Sequence, residues 1–174
     1  MSFLSGVFGT KPQDLWVLLW TLKDKRSWWY QDLEAADRHI LACTNQDVYV
    51  GVGLSAQDYG PTNRCPADEV AGIPGLWVDI HVAHQVHKKK AQLPPTLDDA
   101  LSFAESLPVK PTLIVNSGHG IQAWWLFQEL WVFTDSRDRE NAAMLSLRWT
   151  QTVRGWANRR GWTVDSTHDL SRIL

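Results

Sequence analysis

Cysteine is nearly absent: Cys43 and Cys65 are the only two in 174 residues, and no Cys-x-x-Cys occurs. Two thiols cannot supply a four-cysteine zinc site or a disulfide scaffold. They read as small core residues of a chain in a reducing cytoplasm. An excess of one charge is missing too. Lys and Arg total 17 against 19 Asp and Glu, for a formal charge of −2, so bulk charge does not hold a nucleic acid. A local basic patch or a bound cation must do so. Long apolar runs are also lacking. The longest strongly apolar stretch, Leu15–Trp20, falls well short of the roughly 20 residues a membrane helix needs. The start, Met1–Gly6, has neither the basic beginning nor the apolar core of a signal peptide, so no membrane partner is expected. No 20–50-residue repeat and no low-complexity segment is present. Tryptophan is what the chain has in quantity, with 11 copies. Aromatics can stack on bases, but most of these sit inside periodic apolar patterns and read as packing. The length fits one domain of roughly 100–200 residues, or two small lobes sharing a core, here at about 1–72 and 73–174.

Periodicity divides the chain. Leu15–Leu22 reads as a buried strand, Gln31–Cys43 as a helix, and Asp47–Leu54 as a second strand on alternating Val48, Val50 and Val52. Ser55–Gly75 reads as a long loop broken by Gly60-Pro61, Cys65-Pro66 and Pro74-Gly75, with Arg64 its only cation. Leu76–Val82 is a strand, followed by Lys88-Lys89-Lys90 in a loop. Pro95–Asp99 has the spacing of a helix start, and that helix runs to about Leu107. Thr112–Val115 and Ile121–Phe127 form a hairpin across Asn116–Gly120. A long helix, capped by Asp135 or Ser136, ends near Arg160 before Gly161, and Thr163–Asp165 is a short strand. The fold class is α+β. The last 100 residues or so read β-α-β-β-α-β, the split βαβ or RRM-like order. That order hosts many functions.

Three segments carry candidate chemistry. In Leu76–Val82, Asp79 and His81 are two apart and share a strand face. A carboxylate in so apolar a strand is costly unless paired or bound to metal. The pair reads as two ligands of a divalent cation, or as a solvated strand end. In Asn116–Gln122, two glycines allow close approach of a ligand and expose N–H groups that cradle phosphate, with Ser117, His119 and Gln122 as further donors. An ordinary glycine hairpin is the alternative. In Val164–Arg172, Asp165 ends a strand, while Asp169 and Arg172 share a face if helical. A carboxylate beside a cation suits metal plus triphosphate, and a helix cap with a surface ion pair suits the same letters. Together the segments supply the parts of a two-metal nucleotidyl-transfer site.

These motifs, in this order, resemble the archaeo-eukaryotic primase superfamily, specifically the primase-polymerase (PrimPol) domains of phages, plasmids and other mobile elements. The resemblance spans about Leu15 to Leu174. The family's apolar strand bearing Asp-x-Asp or Asp-x-Glu corresponds to Asp79-Ile80-His81, so His81 stands in place of the second acid. Its Ser-Gly-x-Gly-x-His with following aromatics corresponds to Ser117–Gln122 and Ala123-Trp124-Trp125, with Gln122 in place of His. Its apolar-Asp and downstream arginine motif corresponds to Val164-Asp165 through Arg172-Ile173-Leu174. The chain stops before the family's Arg-x-Pro-Gly, as a fragment followed by a helicase part would.

The resemblance implies a primase fold, with an N-terminal αβ unit packed on an RRM-like antiparallel sheet. It implies a DNA primase or polymerase that joins dNTP or NTP substrates to a primer on a DNA template. Asp79 and Asp165, with His81, would be the catalytic and metal residues for Mg²⁺ or Mn²⁺, and Asp169 a further carboxylate. Imidazole suits Mn²⁺ or Zn²⁺ better than Mg²⁺. Ser117, Gly118, His119, Gln122 and Arg172 would meet the nucleotide. Apart from the resemblance, Arg64 reads as a phosphate contact or a solvated loop residue, and Lys88, Lys89 and Lys90 as contacts for a passing nucleic-acid strand or a solvated loop. Arg148, Arg154, Arg159 and Arg160 read as a basic helix face or as a solvated one. Two rival functions stand beside this. One is a primase-fold module with a weakened metal site that binds single strands or nucleotide. The other is a metal-dependent nuclease of a replication initiator, built on His81, His84 and His87. The nuclease lacks His-hydrophobic-His, and its tyrosine is absent from the C-terminal helices. A Ser117–His119 hydrolase lacks the Gly-x-Ser-x-Gly elbow.

Overall fold

The computed structural model describes residues 2–83 and 92–174. The Lys88–Lys90 run, His84 and His87 lie outside the described residues. The protein is α+β with antiparallel sheets. Its chain divides into two compact units: residues 1–74, 127–142 and 169–174 form one, and 75–126 with 143–168 form the other. Two long strands, β5 (Val70–His81) and β7 (Gly120–Val132), contribute residues to each. Among the described residues, no helix is long and apolar enough to cross a membrane.

In the first unit, β1 (Val17–Thr21) is central in a three-stranded sheet between β2 (Arg26–Tyr30) and β3 (Val48–Val50). The apolar run that predicts a strand supplies Val17, Leu18 and Leu19, all buried. The strand β2 is not apparent in the sequence, where Lys23–Ser27 reads as a polar break. Burial nevertheless alternates along it, with Ser27 and Trp29 buried and Arg26 exposed. Lys25, at φ 51°, turns the chain between β1 and β2. Two helices belong to this unit, α1 (Phe3–Phe8) and α2 (Leu33–Ala42), and their first turns are capped by Ser2 and Asp32. The anticipated second strand is shorter than expected and splits into β3 and β4 (Leu54–Ser55).

The anticipated long loop ends early. Ala67–Glu69 forms a 3₁₀ turn, and β5 begins at Val70, where Leu54 and Ser55 pair with Gly72 and Val70. Pro74 had suggested a breaker, yet it lies within the strand. The last residues complete the unit. Val50 and Leu174 exchange both backbone hydrogen bonds, at 2.7 and 2.9 Å, and Val52 N–H donates to the Arg172 carbonyl at 2.9 Å.

In the second unit, β5, β7 and β6 (Leu113–Asn116) lie side by side in that order, with β7 antiparallel to β6. Val78, Ile80, Ile121 and Ala123 are fully buried. The helix α3 (Leu97–Glu105) starts with a complete capping box: Thr96 and Asp99 each bond the other's backbone N–H at 3.1 Å. The helix α4 (Ser136–Asn158) begins with Asp135 as its cap, since Asp135 Oδ1 accepts from Asp138 N–H at 2.9 Å. It ends at Gly161, whose φ of +73° is left-handed. Within the second unit it lays Trp149 edge-on to Trp125, with ring centres 4.8 Å apart.

The strand order β5-β7-β6 matches the order that the split βαβ pattern anticipates for three of its strands. The fourth does not form. Thr163–Asp165 is not a strand, and the strand paired on the other side of β5 is β4. The physical reason is local: Thr163 N–H and Oγ1 both donate to the Gln92 carbonyl, at 2.7 and 3.1 Å, so this backbone bonds to a loop and not to a ladder.

Leu174 is buried in the first unit, at 7% exposure, on a segment held by only a few backbone bonds. Leu174→Ala is expected to lower stability by about 2–3 kcal/mol. A urea midpoint unchanged from the parent protein would show that the C-terminal segment is not part of the cooperative fold.

Candidate active site

The site is built on one face of β5. Alternation along a strand puts Trp77, Asp79 and His81 on the same side. Trp77 is fully buried, while the side chains of Asp79 and His81 are 13% and 26% exposed. Asp79 therefore sits where an ionised carboxylate needs a partner. It has one: His81 Nε2 lies 3.4 Å from Asp79 Oδ2. The same nitrogen lies 3.4 Å from Oδ2 of Asp165, whose side chain is 66% exposed. Residues far apart in sequence thus meet at one imidazole nitrogen, with one carboxylate sheltered and the other open to water.

Trp77 makes that meeting possible. Its indole N–H donates to the Thr167 carbonyl at 2.5 Å, and both groups are buried. The bond fixes the stretch that carries Asp165 across the face of β5. The two-residue spacing of Trp77 from Asp79 is the signal in the sequence that puts both on one face. Thr167 is also fully buried. Beside them, Ser166 Oγ and His168 Nδ1 are 2.9 Å apart, a pair that no motif indicated.

The Asn116–Gly120 turn closes against β5. A side chain at Gly120 would place its Cβ 2.1 Å from the Ile80 carbonyl oxygen and 2.8 Å from His81 Cα, so glycine is required for close approach. At the other end of this pairing, a Cβ at Gly75 would lie 2.7 Å from Leu126 Cα. Both contacts belong to one register, which sets Gln122 across from Asp79 and Trp124 across from Trp77. The Trp77 and Trp124 rings accordingly meet, with centres 6.2 Å apart. Gly118, at φ +81° with open space around it, is required by its backbone conformation alone.

One expectation about this turn is corrected. Its N–H groups were expected to stand free for phosphate. Ser117 N–H donates to the Gly120 carbonyl at 3.1 Å, and Gly118 N–H to Asn116 Oδ1 at 2.9 Å. Both are used inside the turn, which leaves the exposed Ser117 and His119 side chains as the donors it offers.

The remaining candidates belong to the first unit. Asp169 Oδ1 accepts from Ser171 N–H at 2.9 Å and from Ser171 Oγ at 3.0 Å, and so holds its own turn. Asp169 and Arg172 lie in no helix; Arg172 N–H bonds back to the Asp169 carbonyl at 3.0 Å. Arg172 lines a small pocket with Leu18, Trp29, Cys65 and Val70. Arg64 is exposed in the loop before Cys65, whose thiol pKa is pushed up by burial.

Two carboxylates and an imidazole have the donor chemistry of a divalent-cation site. As they stand, His81 Nε2 lies against one oxygen of each carboxylate. Among the described residues, no group of three or more His, Cys, Asp or Glu side chains is placed so that it could hold a metal ion.

Trp77→Phe is expected to cost about 1–3 kcal/mol, because it leaves the buried Thr167 carbonyl without its donor. It should also speed amide hydrogen exchange across Ser166–His168. Unaltered exchange there would mean that the indole bond does not hold the Asp165 segment.

No protein-family model matches the chain, and no curated protein sequence matches it. Among solved structures, the chain is similar to the AEP domain of the primase-polymerase (PrimPol) of cyanophage S-2L. The match has a TM-score of 0.54 at 13% identity, over 98% of this chain and 76% of that one. At that identity the likeness is one of fold: this chain folds like a phage primase-polymerase domain.

Proposed function

We propose that this chain is a primase-polymerase, a nucleotidyltransferase that extends a primer 3′-hydroxyl on a DNA template during replication of a phage or other mobile element. The observation that carries the reading is the meeting of Asp79 and Asp165 at His81 Nε2, on a fold similar to that of a phage primase-polymerase domain. Two carboxylates held together beside one nitrogen suit a reaction on a polyanionic triphosphate, where divalent cations offset the charge. Asp79, Asp165 and His81 would hold Mg²⁺ or Mn²⁺. When bound, the cation supplies Lewis-acid stabilisation of the charge that builds on the reacting phosphate and the leaving pyrophosphate.

The chain's own residues position and bind. Asp79, sheltered on β5, is the fixed carboxylate, and Asp165 is the open one. Ser117 and His119 donate from the turn to the incoming triphosphate, and Gln122 does so from across Asp79. The primer 3′-oxygen forms the new bond to the α-phosphorus as the bond to the bridging oxygen breaks, and pyrophosphate leaves. No covalent enzyme intermediate is needed, because the primer hydroxyl is the nucleophile.

Two experiments test the reading. On a primed DNA template with all four dNTPs, extension is expected in Mn²⁺ and more weakly in Mg²⁺, since imidazole replaces an acid. Asp79→Asn should reduce it by about 10²-fold or more while the circular dichroism melt stays near that of the parent protein. Full extension by this variant would remove Asp79 from the site. The absence of extension in both metals, with nucleotide or single-strand binding retained, would favour a binding module. Separately, Mn²⁺ titration followed by electron paramagnetic resonance should show affinity falling at least about tenfold in Asp79→Asn and in Asp165→Asn. Equal affinity in all three proteins would place the cation elsewhere.

A further inference from the structure

From Asn141 to Val164 the sequence has four arginines and no acidic residue. In a chain of net charge −2 this is a marked local excess of positive charge. The arginines are Arg148, Arg154, Arg159 and Arg160. All four are exposed, and none is in an ion pair among the described residues. The inner side of this part of α4 is apolar, with Val153 and Ala157 fully buried. Arg148 and Gly155 lie two turns apart on the outer side of α4, and Arg159 comes one residue past its end at Asn158. Arg154 flanks that stripe.

Two of the guanidinium groups are held in place. Arg159 lies over the Trp156 ring, 4.9 Å from its centre. Arg160 lies 5.4 Å from the Phe103 ring centre and 5.6 Å from that of Trp162, and it donates to Ser106 Oγ at 2.9 Å. A guanidinium laid on an aromatic ring keeps its N–H fork pre-organised, which suits phosphate.

Gly155 is the independent observation. It is mid-helix and exposed, its φ is not left-handed, and no atom lies within 4 Å of where its Cβ would be. Glycine weakens a helix interior relative to alanine. Neither packing nor backbone conformation requires it at this position. Close approach of a partner to the helix backbone would make use of it.

We propose that this face of α4 docks the sugar–phosphate backbone of a nucleic-acid strand, independently of sequence. The arginines meet the phosphates, and Gly155 lets the strand lie against the helix. From Arg148 to its end at Asn158 the helix spans about 15 Å, the axial rise of about four to five nucleotides on one strand. The inference shares with the proposed function only the assumption that the ligand is a nucleic acid.

The test is fluorescence anisotropy of the whole chain with a labelled single-stranded DNA, and with the same strand as a duplex, across a salt series. The triple variant Arg148→Gln, Arg154→Gln, Arg159→Gln should bind at least about tenfold more weakly, with the slope of log K against log salt reduced by about two. Gly155→Gln keeps the charge and favours the helix. It should raise Tm and still weaken binding about fivefold, a combination that a merely structural role does not give. Binding by the triple variant within about twofold of the parent protein, at an unchanged slope, would overturn the inference. No binding by the parent protein to either DNA would overturn it as well. Gly155→Gln binding as tightly as the parent would remove the close approach. Primer extension separates the two readings. Arginine-dependent binding without extension in any metal leaves this face standing and sinks the polymerase. Extension with arginine-independent binding does the reverse.

Discussion

Two carboxylates brought together repel each other, and a half-buried one cannot rely on water to screen that repulsion. Here His81 Nε2 stands 3.4 Å from an oxygen of each, and the arrangement of Asp79 and Asp165 depends on that contact. In the proposed reading, the same two carboxylates would instead hold a divalent cation when a triphosphate arrives with its own negative charge.

The contact is held by ordinary packing. The Trp77 indole ties Asp165's segment to the face of β5 through Thr167, and Gly120 lets the turn press against Ile80 and His81. Because β5 is paired along its length, its side-chain directions are set by the ladder and not by solvent. That rigidity lets Asp79 serve as the fixed member while Asp165, 66% exposed, stays open. Arg148, Arg154, Arg159 and Arg160 follow a different rule: they are exposed, none is in an ion pair among the described residues, and Arg159 and Arg160 lie against aromatic rings.

The candidate site was legible where a local rule applied. Asp79 and His81 two apart on an apolar strand, and two glycines flanking His119, are patterns that period and turn chemistry decode directly. The α3 capping box was legible as Thr96 and Asp99 for the same reason. Asp165 was legible as a carboxylate at the end of an apolar run, but the strand expected there does not form, because apolar letters at Trp162–Val164 do not reveal that Thr163 bonds to the Gln92 carbonyl. The strand β2 was missed because its burial alternates while its letters do not. Trp28, Trp29 and Tyr30 look alike in the sequence, and only pairing with β1 buries one and half-exposes the others.

By itself, the sequence determined α2, α3 and α4 and most of the strands, the lack of a long apolar run, the sharing of one face by Asp79 and His81, and the position of glycine in the turn, while α1 was not foreseen. These follow from periods of about 2 and 3.6 residues and from the conformational range of single residues, which need no distant partner. Only the tertiary structure decided that Asp165 meets His81, that Trp77 bonds Thr167, that the Ser117 and Gly118 N–H groups are occupied within the turn, and that Leu174 pairs with Val50. Each of these joins residues far apart in sequence or assigns a donor among competing acceptors. Loop closure and hydrogen-bond competition are settled by the whole chain at once, and no window of sequence contains them.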